Sequence, residues 1–184
     1  MSKVGIFMAN GCEEIEGLTV VDLLRRASID VEMIAIGDSK TIEGSHGIKF
    51  EADKLKTEID IDSFDGVVLP GGMPGTKNLE ADEFVQETLK KFNEEKKLIA
   101  AICAAPSVLG GLELLKGKKA TSYPGFDMKM PGALYSEENV VVDGNIITSR
   151  GVGTAIEFAL EITKYFADEQ TKINLAESIV FQAV

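Results

Sequence analysis

The sequence has few of the residues that build cross-linked or metal-dependent sites. Tryptophan is absent, histidine occurs once (His46), and cysteine occurs twice, at Cys12 and Cys103. Two cysteines in a chain of 184 residues do not form a disulfide framework. No cluster of His, Cys, Asp and Glu has the spacing of metal ligands along the chain, so we expect no metal ion.

Long apolar runs are also missing. The first residues contain one lysine and an apolar run that is too short for a signal peptide, with no small-residue cleavage site. The longest uncharged apolar stretch, 98–112, is shorter than a bilayer span and contains Pro106. We therefore expect a soluble protein of a reducing compartment, located in the cytoplasm, with no membrane partner.

Basic residues are outnumbered by acidic ones. The chain has 19 Lys and Arg against 30 Asp and Glu, which gives a formal net charge of -11. Binding to nucleic acid or to an anionic membrane surface requires a basic patch, so neither is expected as a partner. The simplest explanation of the acidic excess is solubility.

The sequence does contain a regular alternation of strand and helix patterns. With 45% hydrophobic residues it can form a core, and its length suits a single domain over 1–184. Strands are predicted at 3–8, 31–37, 65–70 and 97–102. Helices are predicted around 18–24, 84–92, 104–115 and 153–166. This alternation predicts an α/β fold, with a mostly parallel sheet covered by helices on both faces.

Three further segments carry local signals, of which the first is the clearest hairpin signal in the chain. The stretch NVVVDGNIITS predicts a β-hairpin, with Asp143 and Gly144 at the centre of a type I′ turn. Residues 44–50 are interpreted as a small irregular region or hairpin. The final stretch SIVFQAV, 178–184, is consistent with a last short strand.

Three segments that could carry chemistry fall at predicted strand ends. They are Asn10–Gly17, Gly71–Gly75 and Cys103. In an open parallel sheet, ligands bind beyond the carboxyl ends of the strands. We therefore expect these three segments to meet at one edge of the sheet.

Cys103 stands between the strand LIAAI and a helical pattern that contains Pro106. The small Ala104 and Ala105 leave the turn uncrowded, and proline suits the first turn of a helix. Unpaired N–H groups at the helix start favour a thiolate, which is the nucleophilic form of cysteine. The alternative is a buried structural cysteine, because free cysteine is among the most buried residue types.

The other two segments also allow two interpretations each. The glycines of LPGGMPG can point a backbone N–H at a reacting oxygen, or they can form a plain turn. The acidic cluster EEIEG can cap a helix, or it can place Glu16 beside Cys103. There, burial and a nearby thiolate would raise the pKa of Glu16, so that it could act as a general acid.

At this point four motifs carry a family resemblance. The stretches AICAAP, LPGGMPGTKNL, GCEEIEGLTVVDLLRRA and TSRGVGTAIEFAL resemble the ThiJ/PfpI superfamily, and more narrowly its DJ-one-like branch. The resemblance implies a flavodoxin-like three-layer α/β sandwich and a homodimer. It matches Cys103 to the family's nucleophile at an elbow, Glu16 to its partner glutamate, and Gly72 and Ala104 to its backbone oxyanion donors.

The sequence also departs from parts of this superfamily. Peptidase members carry a histidine directly after the nucleophile, where this chain has Ala104. A pocket position that often holds histidine is Tyr123 here. His46 falls where the eukaryotic branch has an arginine that reaches the partner subunit's site, so it is either a cross-dimer residue or an exposed loop histidine. Cys12 is either a packed residue or a peripheral redox thiol.

The resemblance implies two kinds of function. The first is cofactor-independent, glyoxalase- or deglycase-like processing of small reactive aldehydes or glycated thiol and amine adducts, through a Cys103 hemithioacetal with Glu16 as acid and base. The second is redox sensing or chaperoning under oxidative stress, with Cys103 oxidised to a sulfinate. Ala104 argues against a peptidase. Two arginines in matched motifs, Arg26 and Arg150, are given no catalytic role.

Overall fold

The computed structural model describes residues 2–182, and its centre is a seven-stranded sheet. The strands are β1 (Lys3–Met8), β2 (Asp30–Ala35), β3 (Thr41–Glu43), β4 (Lys49–Glu51), β5 (Lys54–Leu55), β6 (Gly66–Leu69), β7 (Leu98–Ile102), β8 (Lys119–Ala120), β9 (Leu134–Tyr135), β10 (Val140–Asp143) and β11 (Ile146–Ser149). The main sheet has the order β10-β11-β7-β6-β1-β2-β5, and only β10 and β11 pair antiparallel in it. Two small two-stranded sheets, β3-β4 and β8-β9, lie outside it.

Helices cover both faces of the main sheet. They are α1 (Glu14–Arg26), α2 (Gly75–Ala81), α3 (Glu83–Glu95), α4 (Pro106–Gly111), α5 (Ala155–Phe166) and α6 (Glu169–Ser178). One hydrophobic core joins α1, α5 and α6 to the sheet, and a second joins α2, α3 and α4 to the opposite face. The predicted α/β architecture, with helices on both faces of a mostly parallel sheet, is confirmed.

The two cores follow from the alternation of side chains along each strand. In β7, Ala100 and Ile102 belong to the first core, whereas Ile99 and Ala101 belong to the second. All five residues of this strand are buried, as expected for a central parallel strand. β7 is therefore fixed from both sides, and so is the residue that follows it, Cys103.

Two local predictions about turns and hairpins have different outcomes. The hairpin at NVVVDGNIITS is confirmed, but its turn is centred one residue later than expected. Asp143 pairs with Ile146, which leaves Gly144 and Asn145 as the loop. Only Gly144 has a positive φ, 63°, so the turn is not type I′. Residues 44–50 do lie at a hairpin, formed by β3 and β4.

The helices deviate from the sequence prediction in three places. The helix after the elbow ends at Gly111 rather than near 115, because the chain turns through a positive φ of 58° at Glu113. The predicted strand at 178–184 is wrong where the structure describes it, since Ser178 ends α6 and the N–H groups of Val180 and Phe181 close its last turn. Residues 183 and 184 lie outside the described residues. Helices α2 and α6 were not predicted.

Within residues 2–182, every helix is too short or too polar to pass through a lipid bilayer.

Candidate active site

Cys103 occupies a tight elbow immediately after β7. Its φ is 64°, a value that non-glycine residues seldom adopt. Two backbone hydrogen bonds hold the elbow, because the N–H of Cys103 donates to the Ser149 carbonyl (2.9 Å) and its carbonyl accepts from the Tyr123 N–H (2.8 Å). The thiol is partly buried and lines a cleft. The predicted elbow geometry is therefore present.

Glu16 reaches the same place from the first turn of α1. The residue is 0% exposed, and its Oε2 accepts a hydrogen bond of 2.8 Å from the Gly71 N–H. Its other oxygen, Oε1, has no hydrogen-bond partner among the described residues, although Glu16 lines the cleft. Burial raises the pKa of Glu16 to about 7. The carboxyl group can therefore both accept and donate a proton near neutral pH.

The side chains of Cys103 and Glu16 interact directly, but the effect on the thiol is opposite to the expected one. Burial and the neighbouring Glu16 carboxylate raise the pKa of Cys103 to about 12. The N–H groups of Ala104 and Gly72 act on the thiol in the opposite direction, with a smaller effect. The expectation that the helix start makes Cys103 a resting thiolate is therefore wrong for this structure, because burial and Glu16 favour the protonated thiol more than the two N–H groups favour the thiolate.

Two consecutive glycines let the backbone pass close to this pair. A Cβ at Gly71 would lie 2.7 Å from the Cys103 Cβ and 2.8 Å from the Glu16 Oε2. Gly72 has a φ of 86°, and its N–H reaches the Cys103 thiol. The segments predicted to meet at one sheet edge do meet, and the Gly72 and Ala104 N–H groups both lie beside the sulfur.

The cleft above the pair has a volume of about 570 Å³. It is lined by Glu13, Glu16, Gly72, Cys103, Tyr123, Pro124, Asn139, Arg150, Gly151, Val152, Gly153 and Thr154. Tyr123, predicted as a pocket residue, lies in this lining. Asn139, Thr154 and Arg150 also lie in this lining and were not predicted there, although Arg150 and Thr154 belong to the matched motif TSRGVGTAIEFAL.

His46 does not line the cleft of its own chain. Its Nδ1 lies 3.0 Å from the Glu14 Oε2 and 3.3 Å from the Glu13 Oε2, and its side chain is 66% exposed. The Glu14 carboxylate is buried, and it also accepts hydrogen bonds from the N–H groups of His46 and Ile48. His46 therefore helps to fix the turn between β3 and β4 to the start of α1. Its predicted role across a dimer interface stays a prediction.

The same three side chains could hold a metal ion by their geometry. One ligand atom each from Glu13, Glu14 and His46 lies within 4.8 Å of the others. This cluster was not predicted from the spacing of residues along the sequence, because His46 is 32 residues from Glu14 in the chain. In the structure, hydrogen bonds among these groups already satisfy the atoms that would bind the ion.

Cys12 is a fully buried residue beside the Glu16 loop. Cys12 is 0% exposed. Like Cys103, it is a free thiol. Burial and the nearby Glu14 carboxylate raise the pKa of Cys12 to about 12. These properties fit a packing role for Cys12 better than a redox role.

Comparisons with known proteins show the family of the chain. The sequence model of the DJ-1/PfpI family matches residues 2–165. This chain belongs to the DJ-1/PfpI family. It is 36% identical to Protein dj-1beta of Drosophila melanogaster over 183 residues, which cover 98% of each protein. The solved structure described as "Toxoplasma gondii DJ-1, oxidized" has a TM-score of 0.95 and 34% identity, with both chains fully covered.

Some family relatives are much longer than this chain. Protein DJ-1 homolog B of Arabidopsis thaliana is 40% identical over 172 residues, which cover 93% of this chain and 39% of that protein. The chain therefore spans about two fifths of the length of this plant relative. The structural neighbours are consistent with the flavodoxin-like sandwich that the sequence motifs implied.

Proposed function

We propose that the protein converts small α-oxoaldehydes such as methylglyoxal into 2-hydroxy acids, using Cys103 and no cofactor. The observation that carries this proposal is the buried Glu16 carboxyl, whose pKa is about 7, in contact with Cys103 at the floor of an open cleft. A group with this pKa is suited to repeated proton transfer at neutral pH. The strained elbow presents the sulfur to the cleft in a fixed direction.

In the first step the Cys103 sulfur attacks the aldehyde carbon. The new C–S bond forms as the carbonyl π bond breaks, and the thiol proton passes to Glu16. The N–H groups of Gly72 and Ala104, which lie beside the sulfur, donate to the developing oxyanion. Glu16 returns its proton to that oxygen, which gives a neutral hemithioacetal.

In the second step Glu16 moves a proton between two carbons. Its carboxylate removes the hydrogen of the former aldehyde carbon, an enediol forms, and the proton is delivered to the former ketone carbon. The product is a thioester of Cys103, which water hydrolyses to the 2-hydroxy acid and the free thiol. The aldehyde carbon is oxidised and the ketone carbon is reduced, so the reaction consumes one water and needs no external oxidant.

The test measures formation of lactate from methylglyoxal without added thiol or metal. Wild type should turn over, whereas Cys103→Ala and Glu16→Gln should each lose at least about 100-fold in kcat/KM, the low end for loss of a general base. Cys12→Ala is the matched control, because it removes the other thiol. Equal rates for wild type and Cys103→Ala would refute the mechanism.

The pH profile supplies a second check. Because Glu16 must be ionised to accept the thiol proton, kcat/KM should rise with pH through an apparent pKa of about 7 and then level off. A profile that is flat between pH 5.5 and pH 8.5, or that rises only toward the pKa of a free thiol, would contradict this role of Glu16.

The same nucleophile could act on glycated thiol and amine adducts, which release an α-oxoaldehyde reversibly. The cleft contains no histidine among its described lining residues, so we do not propose a peptidase. Assays with glycated N-acetylcysteine and with a fluorogenic casein would separate these activities. A reducing compartment such as the cytoplasm suits the chemistry, because it keeps the Cys103 thiol free.

A second candidate function is redox sensing, with or without chaperone activity. It is favoured by the partly exposed Cys103 and by the solved relative described as oxidized. Under mild peroxide, Cys103 would take up two oxygen atoms to form a sulfinate, to which protonated Glu16 could donate a hydrogen bond. Intact-mass analysis of wild type and Cys103→Ala tests this. Absence of the Cys103-dependent mass gain would refute it.

We also propose that the protein is a homodimer. Two large apolar side chains, Ile15 at the start of α1 and Ile48 in the β3-β4 turn, are 49% and 52% exposed beside His46. A second copy packed on this surface would cover them and would bring His46 near the partner's cleft. Sedimentation equilibrium of wild type and Ile48→Asp tests the surface, and a wild-type monomer would refute the proposal.

A further inference from the structure

Arg150 provides a positive charge in the cleft that the proposed reaction of methylglyoxal does not use. Its Nη1 donates a 2.8 Å hydrogen bond to the Glu137 carbonyl, and no carboxylate of residues 2–182 lies within ion-pair distance of its guanidinium. The arginines of α1 differ, since Arg25 pairs with Asp53 and Arg26 pairs with Asp22. A guanidinium has five N–H donors, so most of those on Arg150 are free for a ligand.

The size of the cleft also exceeds what methylglyoxal requires. A volume of about 570 Å³ is in the range that holds a drug-sized molecule, whereas methylglyoxal has five non-hydrogen atoms. A substrate that reacts at Cys103 and fills this space must extend from the sulfur along the rest of the lining, to which Arg150 and Thr154 belong. The cleft therefore accommodates a longer substrate with a polar group at the end remote from the aldehyde.

The other charged groups of the cleft do not form an ion pair with Arg150. The Glu13 carboxylate lies 3.4 Å from the Ser45 hydroxyl and 3.3 Å from the His46 ring. The Glu16 carboxyl is held by the Gly71 N–H and interacts with Cys103. Each acidic group therefore has a partner elsewhere, and neither forms an ion pair with Arg150.

We propose that the preferred substrates are α-oxoaldehydes that carry a carboxylate, and that Arg150 binds this carboxylate. The planar guanidinium can donate two parallel hydrogen bonds to it. This inference rests on the proposed function and adds the substrate class. A suitable probe is 4,5-dioxopentanoate, which with one water gives 2-hydroxyglutarate. Its aldehyde carbon becomes the new carboxylate, its ketone carbon becomes the alcohol, and no oxidant is required.

The first experiment compares kcat/KM for 4,5-dioxopentanoate and methylglyoxal. Wild type should favour the carboxylate substrate, and Arg150→Gln should lower the ratio of the two values by about 10- to 100-fold, as for loss of a hydrogen bond to a charged group. Arg150→Lys keeps the positive charge but lacks the planar guanidinium, so its kcat/KM ratio should lie between those of wild type and Arg150→Gln. Arg26→Gln is the control for net charge, since it lies about 15 Å along α1 from Glu16.

An unchanged ratio in Arg150→Gln would overturn the assignment of Arg150. If wild type turns over neither substrate, the proposed function fails, and a readout independent of turnover then tests Arg150. Iodoacetate and iodoacetamide have nearly the same shape but differ in charge, and both alkylate cysteine.

The alkylation of Cys103 by each reagent is followed by intact mass at low salt. Arg150→Gln should lower the rate ratio of iodoacetate to iodoacetamide by about 5-fold, which corresponds to roughly 1 kcal/mol of charge attraction. Arg26→Gln should leave the ratio unchanged. The same ratio in wild type and Arg150→Gln would show that the cleft does not attract an anion through this residue.

Discussion

Replacement of Glu16 by glutamine should stabilise the fold while it abolishes the proposed activity. Glu16 is 0% exposed, and its pKa is raised from 4.5 to about 7, so its ionised form is disfavoured in the folded protein. At 1.36 kcal/mol per pH unit, ionisation of the buried carboxyl costs about 3 kcal/mol of folding free energy above pH 7. The neutral glutamine keeps an oxygen for the Gly71 N–H and avoids this cost.

The sign of the pH dependence follows from the raised pKa. Below pH 4.5 the carboxyl is protonated in both states, so wild type and Glu16→Gln should have similar free energies of unfolding. Between pH 4.5 and about 7 the unfolded chain loses this proton first, and wild type becomes progressively less stable than the variant. Above that range the difference should remain constant at about 3 kcal/mol.

The measurement is urea unfolding at a series of pH values from 4.5 to 8.5, with reducing agent and at one protein concentration, because self-association would shift the apparent stability. Cys103→Ala provides a control that keeps Glu16 but removes its thiol neighbour. Parallel pH profiles for wild type and Glu16→Gln would refute the reasoning, because Glu16 would then titrate normally in the folded protein.

Three further predictions concern neighbouring positions. Gly71→Ala should lower turnover by about 100-fold and destabilise the fold by about 1–3 kcal/mol, because its Cβ would clash with both Cys103 and Glu16. Gly111→Ala is the control, because the nearest atom to its Cβ would be 3.8 Å away, and unchanged kinetics of Gly71→Ala would contradict the prediction. Glu16→Gln should increase the alkylation of Cys103 by iodoacetamide at pH 8, because the carboxylate raises the thiol pKa; a slower reaction would mean that Glu16 promotes the thiolate. Cys12→Ser should lose about 1–3 kcal/mol of stability, because it buries a hydroxyl group, but it should keep the turnover of wild type. Urea unfolding measures the stability and the lactate assay measures the turnover. Loss of turnover in a folded Cys12→Ser variant would show that Cys12 has a role beyond packing.

The architecture of the sheet could be predicted from the sequence because its central strands are almost continuously apolar. β7 has five buried residues, and the sequence marks it clearly. Helix α6 lacks such a signal, since among its residues only Leu175 is buried. It forms against α5, and its position depends on tertiary contacts that a local pattern does not contain. The predicted centre of the hairpin turn was one residue too early for a related reason. Strand register, which depends on tertiary contacts, determines which residues form the loop.

The position of the candidate site could be predicted from the sequence, but the protonation of Cys103 could not. Motif resemblance brought Cys103, Glu16 and Gly72 to one edge of the sheet, and the structure places them in contact. The thiol pKa could not be predicted in the same way, because it depends on how much water the fold removes from both groups. That Arg150 has no carboxylate partner among the described residues could not be predicted either, because the sequence does not show which arginines form ion pairs.

The protonation of this pair helps to choose between the two proposed functions. Peroxide oxidation requires the thiolate, and both burial and the Glu16 carboxylate disfavour that form of Cys103. Addition to an aldehyde can proceed from the neutral thiol when a base removes the proton during the attack, and Glu16 is placed for that transfer. The N–H groups of Gly72 and Ala104 do not overcome burial to make a resting thiolate, so their stronger effect is expected on an oxyanion that exists only during reaction. The pair is therefore better suited to aldehyde chemistry than to fast oxidation.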